Sequence, residues 1–302
     1  VGSGVVNLYN LRKIITIKYF SNYDFKRHLK PMMTFFITTI AVAFYVNVSV
    51  ALLGFIQGNE EVGYYNAAYR IKDVMVSIVT SLGAVLLPRL SYYIENNMWD
   101  KFNDILSKST QFIFILSLPL VVFCILFAKP SVLILAGSAY SGSIVPLQVL
   151  ALIIFIVGLS NLTGIQMLIP LKKEKYLCYS VMIAAVINMV LNLILIPEYG
   201  AIGAAVSVMA AEASILIYQI YILRAYSQVL FGGVSYMRII MALVLAISVS
   251  MWLNVSLNYN ETIVFLVSAS LFFICYLGVL LLSKEPFIFT ILNQIRSKLT
   301  KN

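Results

Sequence analysis

The sequence has little charge and few of the residues that hold metals or act as nucleophiles. Only 11% of its 302 residues are charged, and it contains one histidine and three cysteines. So few charged groups cannot cover the surface of a soluble domain, which excludes that class. His28 alone, with cysteines at widely separated positions, excludes a site built from two histidines or a thiolate cluster. With no glycine-rich phosphate loop and no nucleophile beside a base, the sequence predicts neither an enzyme nor a cofactor or metal site.

Apolar residues dominate instead and make up 61% of the chain. Runs long enough to cross about 30 Å of hydrocarbon recur along its whole length. They predict an all-α membrane protein with about eight transmembrane helices. The predicted spans are 31–56, 63–87, 109–127, 144–169, 176–196, 201–223, 236–254 and 262–282.

A net charge of +9 could indicate a protein that binds nucleic acid, so the positions of the charges have to be considered. If successive loops alternate sides, the lysines and arginines collect on one side, whereas Glu60, Glu61, Glu198 and Glu261 fall on the other with only Lys129. This asymmetry predicts that the basic loops and the C-terminus are cytoplasmic. The basic tail is typical of a lipid-headgroup anchor, and no nucleic-acid partner is predicted.

The charge and apolar pattern also predicts how the chain is divided. The apolar positions of 91–108 approximate a helical period, which predicts an interfacial cytoplasmic helix there. A short helix and turn are expected on the outer surface between the third and fourth spans. The predicted segments are the end of a preceding helix (1–10), a basic cytoplasmic linker (11–30), a six-helix lobe (31–223), a cytoplasmic loop (224–235), a helix pair (236–282) and a basic tail (283–302).

Charged residues interrupt the second span, where residues 63–73 read GYYNAAYRIKD. Side chains three, four or seven apart share a helix face, so the spacing predicts one polar stripe. Its members are Asn66, Arg70, Asp73, Ser77 and Thr80 or Ser81. Lys72 is expected to point elsewhere and to extend its ammonium toward the outer interface.

Arg70 lies about 10 Å into the membrane from Gly63 by the helical rise. An intramembrane arginine costs several kcal/mol unless it is paired or faces water, and so it indicates function by default. Two readings stay open: a structural pair with Asp73, or one wall of a hydrated cavity. The continuation of the stripe through Ser77 favours the cavity, and a guanidinium can grip a pyrophosphate with two parallel hydrogen bonds.

Four further polar residues lie inside predicted spans. Asn188 and Asn192 are four apart, and Glu212 and Gln219 are seven apart, so each pair shares a helix face. For the asparagines, cavity lining and hydrogen bonding between helices are both open. Glu212 is either a proton or cation site or the partner of a cation on another helix, with Arg70 as a candidate partner. All four are candidate cavity residues.

Five motifs lie along the chain: RHLKP (27–31), GYYNAAYRIKD (63–73), LLPRLS (86–91), LIPLKKEK (168–175) and PEYGAIGAA (197–205). They resemble, in the same order, segments of polysaccharide repeat-unit flippases of the Wzx type, members of the multidrug/oligosaccharidyl-lipid/polysaccharide exporter superfamily. GYYNAAYRIKD is similar to the G-x-Y-x-x-A-x-R opening of a family helix. The resemblance implies two six-helix lobes around a cationic cavity, followed by two C-terminal helices. The chain would supply the second lobe and that pair, and Arg70 would supply the cavity's cation.

The resemblance also implies a function. The protein would flip undecaprenyl-pyrophosphate-linked oligosaccharides across the bacterial cytoplasmic membrane for O-antigen or capsule assembly, by alternating access. Expected partners are this lipid-linked substrate, membrane lipids, a first lobe of the same protein and other polysaccharide-assembly proteins, while H⁺ or Na⁺ coupling stays open. The alternatives are a lipid-linked peptidoglycan precursor flippase, a cation-coupled drug antiporter, a membrane glycan polymerase or transferase, and a non-transporting scaffold.

Overall fold

The computed structural model describes residues 25–256 and 261–290. Within these residues the chain is α-helical and contains no β-strand. The helices are α1 (Phe25–Ile56), α2 (Asn59–Thr80), α3 (Gly83–Glu95), α4 (Trp99–Leu126), α5 (Ala128–Leu135), α6 (Ile144–Asn161), α7 (Glu174–Ile222), α8 (Ser227–Phe231), α9 (Tyr236–Ser256) and α10 (Glu261–Leu282). Two 3₁₀ turns, Ser138–Ser143 and Arg224–Tyr226, and a π-helix, Leu162–Leu168, connect them.

Seven stretches of these helices are long and apolar enough to cross a membrane. One of them is α7, whose 49 residues are too many for a single crossing. Gly200 has a non-helical backbone and divides α7 into two limbs, each long enough to span. The two limbs match the predicted spans 176–196 and 201–223, so the prediction of an all-α membrane protein with about eight spanning helices is confirmed.

Several boundaries differ from those predicted. Helix α1 begins at Phe25, inside the segment predicted as a linker. The predicted interfacial helix at 91–108 does not form, because residues 96–98 make a turn and α4 then runs without a break from Trp99 into the membrane. The helical period of its later apolar positions comes from the first turns of α4, which is long enough to span a membrane. The predicted segments 1–10, most of 11–30 and most of 283–302 lie outside the described residues.

Helix α6 organises the bundle, since it packs against α2, α4 and α7. It is apolar all round, with Leu147, Leu150 and Ile154 fully buried, as expected for a helix surrounded by others. Helix α1 packs along α7, and α9 packs along α10. The first 3₁₀ turn packs on both α2 and the short helix α5, in the region where the sequence predicted a short helix and turn.

The bend in α7 is held from the junction between α1 and α2. Pro197 and the non-helical Gly200 leave the carbonyls of the first limb without their usual partners. The side-chain amide nitrogen of Gln57 donates to the backbone carbonyls of Ile196 and Pro197, at 3.0 and 2.8 Å. Both ends of the break therefore receive side-chain partners, because Glu61 caps the start of the second limb through the backbone nitrogen of Ala201.

Candidate functional site

Helix α2 carries its predicted polar residues on an accessible face. Arg70, Asp73 and Ser77 are exposed, and Asn66 is half-buried. The hydroxyl of Ser77 donates to the carbonyl of Val74 at 2.7 Å and is thus satisfied within its own helix. The four side chains share a face as their spacing predicted, while their role in binding stays a prediction.

A cavity of about 700 Å³ opens along the first half of this face. Its volume lies within the range of about 300–1,000 Å³ that is typical of small-molecule sites. Arg70 and Asn66 line it from α2, and Tyr140 lines it from the first 3₁₀ turn. The rest of the wall is mostly apolar, formed by Gly63, Ala67, Ile71, Val74, Met75, Leu135 and Ala136. A few polar groups in an apolar wall are the usual composition of a ligand site.

Arg70 makes no ion pair with any residue that the structure describes. The pair with Asp73 that the sequence allowed is not formed, because Asp73 is bound to Lys72 at 2.6 Å. Arg70 does not pair with Glu212 either, because that carboxylate accepts a hydrogen bond from the Tyr45 hydroxyl at 2.7 Å. The guanidinium is therefore free to bind a ligand in the cavity.

Lys72 is buried, contrary to the prediction that it would extend to the outer interface. Its ammonium lies 2.6 Å from the Asp73 carboxylate and 3.7 Å from the centre of the Tyr69 ring. A cation over an aromatic face and beside a carboxylate is stabilised without bulk water. Lys72 stays inside because these two partners lie next to it.

Glu212 joins Lys72 in one cluster of ionisable side chains between α1, α2 and the second limb of α7. We call Tyr45, Tyr69, Lys72, Asp73 and Glu212 the lysine cluster. Lys72 lies within electrostatic range of the Glu212 carboxylate. Among the described residues no salt bridge joins Glu212 to Arg70 or to Lys72, so the candidate pairing with Arg70 is not formed. Such a group can hold helices together or exchange a proton or cation.

Asn188 and Asn192 are completely buried between α1 and the first limb of α7, and neither lines the cavity. The amide of Asn192 donates to the Asn188 side-chain oxygen and to the Ser49 hydroxyl, both at 2.9 Å. Ser49 in turn donates to Asn188 at 3.2 Å. Of the two open readings, the structure supports hydrogen bonding between helices, because both side chains face α1 instead of open space.

Gln219 is also buried away from the cavity. It accepts a hydrogen bond from Thr163 at 2.7 Å and donates to Ser180 at 3.3 Å. Thr163 belongs to the π-helix, a form often found at functional sites. A Cβ at Gly164 would lie 2.8 Å from the Gln219 amide nitrogen, so glycine permits this close contact. Gln219 thus joins α7 to the π-helix and does not line this cavity, and a role in binding stays a prediction.

Tyr140 was not predicted from the sequence, and the surroundings predicted for Lys72 were wrong. Tyr140 lies in an interrupted segment between spans, where no periodicity could assign it to the cavity. Its position in the small, glycine-containing run SAYSGS offered only a weak signal. For Lys72, the neighbouring Tyr69 and Asp73 were a usable signal, because both can satisfy an ammonium locally.

Comparisons with known proteins agree with this fold. The profile of a family described as "Polysaccharide biosynthesis protein" matches residues 3–145. A "Putative O-antigen transporter" of Escherichia coli K12 is 27% identical over 192 residues, 64% of this chain and 46% of that protein. Its namesake from Shigella dysenteriae is 27% identical over 221 residues, 72% of this chain and 54% of that protein. The chain thus spans about half the length of these relatives.

Among solved structures, the lipid II flippase MurJ in an inward closed conformation has the same fold. The TM-score is 0.65 at 17% sequence identity, and the match covers 89% of this chain and 57% of that one. A "Probable low-salt glycan biosynthesis flippase" of Haloferax volcanii is 24% identical over 176 residues, 57% of this chain and 36% of that protein. By sequence the chain is thus similar to polysaccharide biosynthesis proteins and to putative O-antigen transporters, and by structure it has the fold of a lipid II flippase.

Proposed function

We propose that the full protein carrying this chain flips undecaprenyl-pyrophosphate-linked oligosaccharides from the inner to the outer leaflet of the bacterial cytoplasmic membrane. The observation that carries the proposal is Arg70, an exposed guanidinium without an ion pair among the described residues, in a cavity inside a spanning segment. A pyrophosphate and a sugar chain cannot cross hydrocarbon without compensation of their charge and polar groups. Arg70 supplies that compensation.

The cavity suits both parts of such a substrate. The guanidinium matches two phosphate oxygens with parallel hydrogen bonds. Beyond Arg70, exposed apolar side chains lie beside the polar Asp73 and Ser77: Val74 and Ile78 on α2 and Val85 on α3 are each more than a third exposed. These apolar side chains suit the prenyl chain, which stays in the bilayer. A first lobe would close the open side of the cavity, and rocking of the two lobes would expose the site to each leaflet in turn.

The orientation belongs to the same proposal. The positive-inside distribution places the beginning of α2 at the outer face and the C-terminus in the cytoplasm. The cavity then opens near the outer end of α2, with Arg70 on its inner side. We also propose that a first lobe of the same protein and other polysaccharide-assembly proteins work with this chain. Transport itself would involve no chemical step.

The test is mass spectrometry of the lipids that co-purify with the full-length protein. Wild type should carry a prenyl-pyrophosphate oligosaccharide, and Arg70→Ala should lose it. Arg224→Ala is the matched control, because Arg224 is exposed in a 3₁₀ turn outside the cavity and should leave the bound lipid unchanged. Retention of the lipid by Arg70→Ala, or bulk phospholipid alone on wild type, would contradict the proposal.

A cation-coupled antiporter is the second candidate, favoured by one observation. Glu212 is a carboxylate inside the bundle that is bound to Tyr45 and lies near the buried Lys72. An antiporter needs such a carboxylate to exchange its ion, so Glu212→Gln should abolish transport while Arg70→Ala is tolerated. A flippase that depends on Arg70 gives the opposite ranking of the two variants.

A further inference from the structure

The outer wall of the cavity is built by the 3₁₀ turn Ser138–Ser143, which crosses over the beginning of α2. Tyr140 is the aromatic residue that this turn contributes to the cavity. Its side chain is 38% exposed, and its hydroxyl bonds to no other residue within 25–256 or 261–290. A phenol ring is thus presented to the cavity with its polar end available.

Close contacts with α2 hold the Tyr140 ring in place. The ring meets Tyr64 edge to face, with 6.5 Å between the ring centres and 83° between their planes. Tyr64 is itself held by a hydrogen bond to Glu60. A Cβ at Gly142 would lie 2.7 Å from the Tyr64 ring, so this glycine permits the turn to approach α2 closely. An aromatic ring fixed by its neighbours loses little rotational freedom when it binds a ligand.

The separation of Tyr140 and Arg70 along the axis of α2 follows from the residue of α2 that Tyr140 lies beside. A Cβ at Gly63 would lie 3.6 Å from the Tyr140 ring, so the ring is level with Gly63. Arg70 follows seven residues later, a rise of about 10 Å. Asn66 lines the cavity between them and offers an amide that both donates and accepts hydrogen bonds. An aromatic ring, an amide and a guanidinium therefore follow one another along one wall, over the length of a short sugar chain.

We propose that Tyr140 is a sugar-stacking platform that lets the cavity distinguish a glycan-loaded lipid carrier from the bare carrier. This inference rests on the proposed function. A pyranose ring presents C–H groups of slightly positive charge, which are attracted to the negative face of an aromatic ring. With the pyrophosphate on Arg70, the first sugars reach Tyr140, and Asn66 bonds to their hydroxyls. Arg70 alone would not favour the loaded carrier, because both carriers bear a pyrophosphate and the terminal phosphate of the bare carrier has the greater negative charge.

The experiment compares two ligands on the full-length protein in lipid nanodiscs. One is undecaprenyl pyrophosphate bearing an oligosaccharide, and the other is undecaprenyl pyrophosphate without sugar. Wild type should prefer the loaded carrier. Tyr140→Leu should weaken binding of the loaded carrier up to about tenfold and leave binding of the bare carrier unchanged. Tyr140→Phe, which keeps the ring, should bind both carriers as wild type does, whereas Arg70→Ala should weaken both.

Each other outcome overturns the inference in a recognisable way. Unchanged binding of the loaded carrier to Tyr140→Leu would show that the ring does not contact sugar. Equal weakening of both carriers would show that Tyr140 only supports the shape of the cavity. If wild type binds neither carrier, the proposed function itself fails, and the role of Tyr140 fails with it. Retained binding of the bare carrier also shows that Tyr140→Leu is folded.

Discussion

The backbone nitrogen of Ala201 donates a hydrogen bond of 2.6 Å to the carboxylate of Glu61, which is 140 positions earlier in the chain. This contact lies at the bend of α7 and joins the beginning of α2 to the start of the second limb. A carboxylate at a helix N-terminus satisfies a free N–H and interacts favourably with the helix dipole. The motif PEYGAIGAA therefore has a structural explanation, since Pro197 and Gly200 make the break that Glu61 and Gln57 stabilise.

Gly200→Ala should destabilise the protein by about 1–3 kcal/mol. Gly200 has φ of 50° and ψ of −127°, a combination that suits glycine alone, and a Cβ there would meet the Glu61 carboxylate. Thermal unfolding of the purified protein measures the effect. Gly278→Ala in α10 is the control, because a Cβ there meets nothing within 4 Å and should leave the melting temperature the same or slightly higher. Equal melting temperatures for both variants would contradict this account of the bend.

Glu61→Ala should cost about 0.5–2 kcal/mol, the usual effect of losing a helix cap. Glu61→Gln keeps a hydrogen-bond acceptor and should cost less, because it loses only the interaction of the charge with the helix dipole. Glu198→Ala is the matched control, since Glu198 is exposed beside the same bend. Thermal unfolding should rank Glu61→Ala as least stable, and a Glu198→Ala protein of equally low stability would argue against the cap.

Lys72→Met should destabilise the protein by about 1–3 kcal/mol, because it removes a buried cation from beside Asp73 and Glu212. Combining it with Glu212→Gln should cost less than the sum of the two single changes, by about 0.5 kcal/mol or more. The reason is that the double variant leaves no uncompensated charge at Glu212. Melting temperatures of the four proteins complete this cycle, and strict additivity would show that Lys72 and Glu212 do not interact.

Asn188→Leu should lower stability by about 1–3 kcal/mol, because it removes the buried oxygen that accepts hydrogen bonds from the Ser49 hydroxyl and the Asn192 amide. Transport per folded molecule should stay the same, since Asn188 does not line the cavity. Surface-polysaccharide display, normalised to the amount of folded protein in the membrane, measures this. A loss of display without a loss of stability would show that Asn188 takes part in transport.

Arg70→Ala should lower the transport rate roughly tenfold or more, the effect of losing a charged hydrogen-bonding partner. Arg70→Lys should fall between wild type and alanine, because lysine keeps the charge but cannot bind two phosphate oxygens in parallel. Complementation of a strain that lacks the full-length protein measures the rate as polysaccharide reaching the surface. Equal rates for the lysine and alanine variants would show that charge alone contributes nothing at this position.

The eight spans could be predicted because span length and apolar composition are local properties of the sequence. The same holds for the accessible face of α2, since the positions of Asn66, Arg70 and Asp73 follow from the helical period alone. The interfacial helix at 91–108 was a wrong prediction for a related reason. A helical period shows that a segment is helical, but it does not show whether the helix continues into the membrane, as α4 does.

The partners of polar groups were decided only by the tertiary structure. Four residues predicted from similar spacing have different surroundings: Asn188 and Gln219 are buried between helices, Glu212 lies in the lysine cluster, and Arg70 lines a cavity. The sequence determined which helices cross the membrane and which residues share a face, because both depend on neighbours along the chain. Which face meets another helix, and which is left open for a ligand, depends on packing between distant segments, and no local pattern contains it.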